Sequence, residues 1–261
     1  MAKKKNYTIL VKEHYRKQAR QHKTALTSTM LDHNNRRLEI ANLIALLRDG
    51  DKCLEVGCGN GAASIEISKA RKLDLSCFDF SSDLIKLAKS QPLKGVRGKI
   101  KFDSGDVLNL NIKNAYDVVF TERCIINLMD WNDQKKALTN MSKALKGGGR
   151  LILLEAFSDG LESLNKARQE VGLDAVPPAY HNLHLKKELV IPHLASCGLE
   201  FAEENNFLSS HYFGSRVLYP ALARVANKEI VPNGSFDQFF ANLPPIGNFS
   251  HIKILVFKKS K

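Results

Sequence analysis

The sequence predicts an α/β fold, in which helices cover both faces of a doubly wound, mainly parallel sheet. Two observations lead to this prediction. Short apolar segments alternate with helical segments from residue 52 to residue 157, which is the pattern of successive strand–helix units. A glycine-rich turn also joins the first predicted strand to the helix after it, as in sheets that bind nucleotides at their strand ends.

Each element follows from its local pattern of apolar, turn and capping residues. Strands are predicted in seven segments: 52–57, 73–80, 99–107, 116–122, 150–157, 199–210 and 251–260. Helices are predicted in four segments, of which the last is stopped by a glycine run: 34–47, 60–72, 81–91 and 132–149. Residues 158–198 also look helical. Residues 211–250 form a long irregular segment, which we expect to be functional or to carry helices of its own.

Composition excludes several classes of protein. The 261 residues are 44% hydrophobic and 25% charged, which is typical of a soluble globular protein. No apolar run is long enough for a membrane span, and the N-terminus lacks the apolar core of a secretory signal. Five cysteines without a CxxC pair favour reduced thiols and a cytoplasmic location. They indicate neither a disulfide framework nor a metal site.

The chain is strongly basic, with a formal net charge of +12. Much of this charge is local, because residues 1–23 carry eight lysines and arginines against one glutamate. A basic arm of this kind can bind nucleic acid, anionic lipid or an anionic small molecule. It can equally be a solvated helix without a specific partner.

The turn LEVGCGNG follows the first strand and opens a helix. Gly57, Gly59 and Gly61 let the backbone turn sharply and let a ligand approach, and Cys58 lies among them. Unpaired N–H groups at the helix start add hydrogen-bond donors. The glycine spacing also fits a dinucleotide site, but Glu55 argues against that, because a carboxylate repels a pyrophosphate. It attracts an ammonium or a sulfonium.

Acidic residues follow the second and third strands. Asp79 lies about 20 residues beyond the glycine turn, where a carboxylate can accept hydrogen bonds from ribose hydroxyls, and Phe80 follows it. Asp106 is placed to accept a hydrogen bond from an adenine amino group, and Val107 to lie against the ring. Both aspartates also suit a plain structural role, as caps of the turns and helices that follow them.

These segments together resemble the class I S-adenosylmethionine-dependent methyltransferases. The resemblance covers residues 50–157 and includes the lead-in ALKGGGRLIL to the fifth strand, where a glycine stands in place of the more common proline. It implies a seven-stranded sheet whose last strand is antiparallel, with S-adenosyl-L-methionine as the cofactor. STMLDHNNRRLE, TERCIINLMDW, ESLNKARQEVGL and YHN are similar to a bacterial group linked with methylation of small molecules or cell-surface polysaccharides.

The resemblance also divides the chain. One methyltransferase domain spans residues 1–261, and its parts are an N-terminal arm and cap, a cofactor-binding core, cap insertions with the sixth strand, and a last strand with its tail: 1–48, 49–157, 158–250 and 251–261. Arg36 and Arg37 lie on the helix expected near the cofactor, where one of them can clamp its carboxylate; a solvated helix face is an equal alternative. Thr121, at the end of the fourth strand, is also expected to contact the cofactor.

The acceptor is expected at the carboxyl edge of the sheet, facing the segment FTERCIINL after the fourth strand. Glu122 is the candidate base there by topology, and it is equally suited to pair with an arginine. His181, in the cluster PPAYHNLHL, is a second candidate base or a surface histidine. The segment lacks the Asn/Asp-Pro-Pro-aromatic and Pro-Cys motifs of enzymes that methylate nucleobases.

The sequence therefore predicts methyl transfer to a small-molecule acceptor, at an oxygen of a sugar-like or other polar metabolite. Two alternatives remain. A methyltransferase for RNA or another macromolecule would use the basic arm, so that nucleic acid stays a possible partner. A non-catalytic module would bind S-adenosylmethionine without transferring its methyl group.

Overall fold

A computed structural model describes residues 31–261, so the basic arm of residues 1–23 lies outside the described residues. Seven strands form one sheet in the order β3-β2-β1-β4-β5-β7-β6. Their bounds are β1 Lys52–Val56, β2 Asp74–Asp79, β3 Lys99–Ser104, β4 Tyr116–Glu122, β5 Leu145–Ala156, β6 Leu199–Asn205 and β7 Ile252–Lys259.

Helices connect the strands. They are α1 His33–Leu46, α2 Ala62–Ala70, α3 Ser82–Ser90, α4 Trp131–Ala144, α5 Ser158–Glu170, α6 Lys187–Ser196, α7 Ser209–Phe213, α8 Tyr219–Val225 and α9 Ser235–Ala241. The π-helical turn Gly214–Leu218 joins α7 to α8 without a break, and we call the continuous helix of residues 209–225 the cap helix. Among residues 31–261 no helix combines the length and the apolar character that a membrane crossing needs.

Strand directions confirm the predicted doubly wound sheet. β1 pairs in parallel with β2 on one side and with β4 on the other, so the strand order switches between β1 and β4. β7 is antiparallel to both β5 and β6, as the resemblance implied. β6 therefore runs in the same direction as β5. The carboxyl ends of β1, β2, β4 and β5 meet at one edge, which we call the carboxyl edge.

The central strands form the core. Val118, Val119 and Phe120 of β4 have no exposed surface, and neither do Leu151–Leu154 of β5. Strands that are covered by helices on both faces bury residues of both parities, which explains the continuous apolar runs in the sequence. This core fixes the carboxyl edge on which the polar residues described below are placed.

Three predicted boundaries were wrong. The sixth strand, predicted over residues 199–210, ends at Asn205, and α7 already begins at Ser209. The glycine run does not extend α4, which ends at Ala144, because residues 145–149 already belong to β5. Gly148 adopts a positive φ of 74°, and the β4–β5 register shifts between Tyr116 and Val118, so the glycines accommodate an irregularity within the strand. Residues 171–186 are also not helical, since the pair Pro177–Pro178 cannot donate helical hydrogen bonds. The long segment 211–250 does carry helices.

A buried lysine ties the last strands to the helices beside them. The Nζ atom of Lys253 has no exposed surface around it and lies 2.8 Å from Asp159, 3.0 Å from Glu204 and 2.6 Å from Asn248. Lys187 contacts the same two carboxylates at 2.9 Å. Since each charge is paired, burying the ammonium group carries little of the penalty of an isolated charge.

This network predicts that stability falls in acid. Burial raises the pKa of Asp159, but the hydrogen bond from Lys253 and further contacts outweigh it and lower that pKa to about 2. A carboxylate with a lowered pKa stabilises the fold above its unfolded pKa of about 4, and this contribution disappears as the pH falls toward 2. Asp159→Asn should therefore reduce the loss of unfolding free energy between pH 6 and pH 3 by about 1 kcal/mol in urea titrations.

The matched control for this prediction is Asp103→Asn, at an exposed carboxylate that pairs with Lys89 on the surface. It should leave the pH dependence of the wild type nearly unchanged. An equal pH dependence in the Asp159→Asn variant and the wild type would contradict the role of the network.

Candidate functional site at the carboxyl edge

The glycine turn lies between β1 and α2, against the loop that follows β4. Gly57 has a φ of 82°, and a Cβ atom added to it would lie 2.5 Å from Sγ of Cys124. Its N–H donates to the carbonyl of Phe78 at 2.8 Å. Gly59 also has a positive φ, of 58°, but nothing lies within 4 Å of the position of its Cβ atom. Protein atoms thus fill the space beside Gly57, whereas the space beside Gly59 is open.

Asp79 lies beside this open point. Its two carboxylate oxygens accept hydrogen bonds from the N–H groups of Gly59 at 2.9 Å and Ser81 at 2.8 Å. Burial raises the pKa of Asp79, while these backbone donors act to lower it. The aromatic ring of Phe80, the next residue, is partly exposed. The structure therefore brings a carboxylate, a flat apolar side chain and an open glycine turn together.

Asp106 and Val107, which follow β3, lie at the same edge of the sheet, and Asp106 has a structural role there. Asp106 accepts hydrogen bonds from the N–H of Leu108 at 2.9 Å and from the amide of Asn109 at 3.1 Å. It thereby caps the short 3₁₀ turn Val107–Asn109, which is the structural alternative that the sequence left open. Val107 is buried, and its carbonyl accepts from Asn140 at 2.9 Å.

Glu55 is buried behind the glycine turn. Burial raises the pKa of its carboxyl group, which contacts with Ser64 and Cys77 and the charge of Arg36 partly oppose. Cys58 is also buried, next to Cys77. Glu55 is thus buried among protein contacts at the β1 end, and its role toward the cofactor stays a prediction.

Four charged residues form a buried network above β4, which we call the arginine–glutamate network: Arg36, Glu39, Glu122 and Arg123. Arg36 of α1 contacts Glu122 directly and lies 3.3 Å from Glu39. Arg123 lies 3.0 Å from Glu39 and 3.8 Å from Glu122. Burial lowers the pKa of Arg36 to about 10, so its guanidinium stays charged near neutral pH. The network fastens α1 to the end of β4.

The backbone after β4 is shaped for this contact. Arg123 has a φ of 52°, which is unusual for a residue with a Cβ atom. The turn directs two successive side chains toward α1, where Glu122 contacts Arg36 and Arg123 contacts Glu39. Both arginines contact the same oxygen of Glu122, Oε1. Glu122 is thus an arginine partner in this structure, and its role as a base stays a prediction.

His181 lies in the irregular segment 171–186, and hydrogen bonds hold that segment against the loop after β4. The N–H of Leu183 donates to the carbonyl of Ile126 at 2.7 Å, and the Gln134 amide donates to the carbonyl of Leu183 at 2.9 Å. The ring of His181 meets that of Tyr180 edge-on at 4.9 Å. The structure therefore places His181 at the same edge of the sheet as Glu122.

Glu155 shapes the loop after β4, and the sequence reasoning missed it. Its carboxylate, which is fully buried at the end of β5, accepts hydrogen bonds from the N–H groups of Cys124 at 3.0 Å, Ile125 at 2.9 Å and Ile126 at 3.3 Å. Burial raises its pKa, and the hydrogen bond from Ile125 and further contacts, including that of the buried Thr121, oppose the shift. The signal in the sequence was a lone carboxylate within the apolar strand RLILLEAF.

A second polar cluster joins the cap helix to the start of α1. Asp32 lies 2.9 Å from Nε2 of His211 and 3.0 Å from Arg216. Burial raises the pKa of Asp32, but these two partners hold it below its ordinary value. The hydroxyl of Tyr212 accepts a hydrogen bond from Asn35 at 2.8 Å, and the Arg216 guanidinium stacks 3.7 Å from the Tyr212 ring.

Two uncharged imidazoles complete the edge. His184 and His251 stack at 5.1 Å with nearly parallel planes, and the His251 ring lies 5.2 Å from that of Tyr212. Burial lowers the pKa of His184 to about 4 and, with the neighbouring His184, that of His251 to about 3. Both rings are therefore neutral near pH 7. His251 directly precedes β7, whose first residue Ile252 pairs with Ala156 at the end of β5.

Comparison with known proteins agrees with this geometry. The family model described as a methyltransferase domain matches residues 53–149, which run from β1 into β5. This part of the chain is therefore similar to a methyltransferase domain. The domain contains the glycine turn, Asp79, Asp106 and Glu122, whereas α1 and the cap helix lie outside the matched range.

Individual relatives are similar over the same part of the chain. An O-methyltransferase, rstn1, of Aspergillus nomiae is 29% identical over 123 residues, which are 46% of this chain and 53% of that protein. The 27-O-demethylrifamycin SV methyltransferase of Amycolatopsis mediterranei is 29% identical over 137 residues, 50% of this chain and 49% of that protein. The chain thus spans about half the length of the curated relatives it matches.

A solved structure is similar over more of the chain. The magnesium protoporphyrin IX methyltransferase of Synechocystis PCC 6803, determined with bound SAH, has a TM-score of 0.57 and 18% identity. The alignment covers 89% of this chain and 88% of that one. At this identity the likeness supports the fold, which extends beyond the matched domain into the last strands.

The arginine–glutamate network generates a stability prediction. Glu122→Gln should lower the free energy of unfolding by about 3 kcal/mol, because it leaves two buried guanidinium groups without their shared carboxylate. Removing the exposed partner Asp103 of Lys89, as Asp103→Asn, should cost less than about 1 kcal/mol. Urea unfolding of both variants measures the difference. A Glu122→Gln variant as stable as the wild type would contradict the structural role of the network.

Proposed function

We propose that the chain is an enzyme that transfers a methyl group from S-adenosyl-L-methionine to an oxygen of a small-molecule acceptor, a sugar-like or other polar metabolite. The observation that carries the proposal is the open glycine turn at Gly59 with the Asp79 carboxylate 2.9 Å from its N–H, within a methyltransferase domain. We place this activity in the cytoplasm. The relatives named as O-methyltransferases support the choice of oxygen.

The described residues fit the cofactor. The missing side chain at Gly59 leaves room beside Asp79, where hydroxyl groups of a ribose can donate to the carboxylate. Phe80 offers a partly exposed ring at the same strand end, and Val107 a buried apolar side chain near the end of β3. When bound, S-adenosylmethionine supplies an electrophilic methyl group on its sulfonium. The role of the protein is to hold this donor and the acceptor in line.

The charges at the carboxyl edge support an uncharged acceptor group. The arginine–glutamate network and the Asp32 cluster together pair three arginines with three carboxylates. The two stacked histidines are neutral near pH 7 because burial lowers their pKa values. An acceptor with hydroxyl groups can hydrogen-bond to neutral imidazoles without having to neutralise an excess charge.

The proton of the acceptor hydroxyl has two proposed destinations at this edge. Glu122 is the first, and its contacts with Arg36 and Arg123 hold its carboxylate at the end of β4. His181 is the second, on the segment held against the loop after β4. Either group has to lie within hydrogen-bond reach of the hydroxyl when the acceptor is bound.

Calorimetric titration with S-adenosylhomocysteine, the demethylated product, tests the proposal. The wild type should bind it, and Asp79→Asn should weaken binding about tenfold or more, because a carboxylate that accepts two hydrogen bonds becomes an amide that also has to donate. Asp103→Asn, a change of the same kind on the neighbouring strand β3, should bind as the wild type does. Equal affinity in the Asp79→Asn variant and the wild type would overturn the assignment of the ribose site.

A further inference from the structure

Exposed apolar side chains concentrate on one part of the molecule. We call residues 209–246 the cap hairpin, since α9 returns along the cap helix. Within it Val225 is 89% exposed, Ile246 72%, Val231 61%, Phe239 61% and Leu222 55%. Ile230 and Leu243 of the same hairpin are exposed as well. Large exposed apolar surfaces of this kind mark sites of interaction with other proteins or membranes.

The hairpin that carries these residues is well supported from within. The rings of Tyr219 and Phe236 stack at 4.5 Å, and the Tyr219 hydroxyl accepts a hydrogen bond from the N–H of Val231 at 3.0 Å. At the other end, the Ser209 hydroxyl donates to the carbonyl of Ile246 at 2.6 Å. The exposed side chains therefore project from a fixed scaffold with its own internal contacts.

Exposed cations lie beside part of this apolar surface. Arg37, Arg224 and Lys228 are exposed on α1, on α8 and just after it, and Arg37 contacts Asn242 of the hairpin at 3.0 Å. Glu229 is the exposed acidic residue between positions 222 and 246. The chain also enters the described region here, because Asn233 hydrogen-bonds to the carbonyl of Leu31 at 3.2 Å. Residues 1–23 of the sequence, with their eight lysines and arginines, precede this point.

We propose that the cap hairpin docks on the surface of a lipid bilayer that contains anionic lipids. Aliphatic and aromatic side chains enter the boundary between head groups and acyl chains, while the nearby cations contact the anionic head groups. An RNA surface matches the cations but not the aliphatic side chains Val225, Val231 and Ile246, because nucleic-acid interfaces are predominantly polar. The combination of exposed apolar side chains with nearby cations therefore favours a lipid surface as the partner.

Docking in this way has a consequence for the carboxyl edge. The cap helix carries Leu222 and Val225 on its exposed side, and its inward residues His211 and Tyr212 contact Asp32 and Asn35 above the sheet. The element on the bilayer is thus the element that covers the edge. The docking proposal itself stands on the exposed surface and its charge, and it does not require the proposed methyl transfer.

Sedimentation of the full chain with lipid vesicles tests the proposal. The wild type should bind vesicles that contain phosphatidylglycerol more tightly than vesicles of phosphatidylcholine alone, and added salt should weaken that binding. The double variant Val225→Asp, Ile246→Asp should bind these vesicles more weakly than the wild type, by about tenfold or more. Lys228→Glu should lower affinity for the anionic vesicles alone.

The matched control is Leu93→Asp with Leu189→Asp, which introduces the same charges at exposed apolar positions outside the hairpin. This control should bind vesicles as the wild type does, and thermal unfolding should show that every variant is folded. Several results would overturn the proposal. These are no binding to anionic vesicles, binding that the hairpin variant does not alter, or a wild-type dimer that the hairpin variant converts to monomer. RNA binding that is lost in the same variant would equally assign the surface to RNA.

Discussion

The arginine–glutamate network is the interaction on which the arrangement of the carboxyl edge depends. Arg36 and Glu39 belong to α1, whereas Glu122 and Arg123 lie at the end of β4. The network therefore joins a helix to a strand that is far from it in the sequence. Buried charges of this kind are destabilising when alone and tolerable when each has a partner. The cost of separating the four residues therefore keeps α1 in place against the end of β4.

A second constraint comes from Glu155, because its carboxylate gathers three successive backbone N–H groups after β4. The loop is then held from below by β5 and from above by α1. Cys124 of this loop in turn contacts the position at which Gly57 has no side chain. The glycine turn, the loop after β4 and the end of β5 are thus connected through residues 122–126. We expect a substitution in the glycine turn to alter the loop after β4, and a substitution in that loop to alter the turn.

The strand–helix alternation, the glycine turn and the acidic strand ends could be read from the sequence, because each depends on local spacing and on neighbouring residues. The partner of Glu122 could not be chosen, since Arg36 lies 86 residues earlier in the chain and no local pattern links the two. The same holds for Asp32 and His211, 179 positions apart. The glycine run at 147–149 misled the prediction, because glycine stops helices and also permits an irregular strand.

The most direct test is a crystal structure of the full chain with S-adenosylhomocysteine. The account predicts the ribose hydroxyls of this product at the Asp79 carboxylate, its adenine beside Phe80 and Val107, and its sulfur toward the loop after β4. The Arg36–Glu122 contact, which joins α1 to the end of β4, should be recorded in the same structure. Electron density for the product elsewhere on the sheet, or an empty glycine turn at saturating product, would contradict the account.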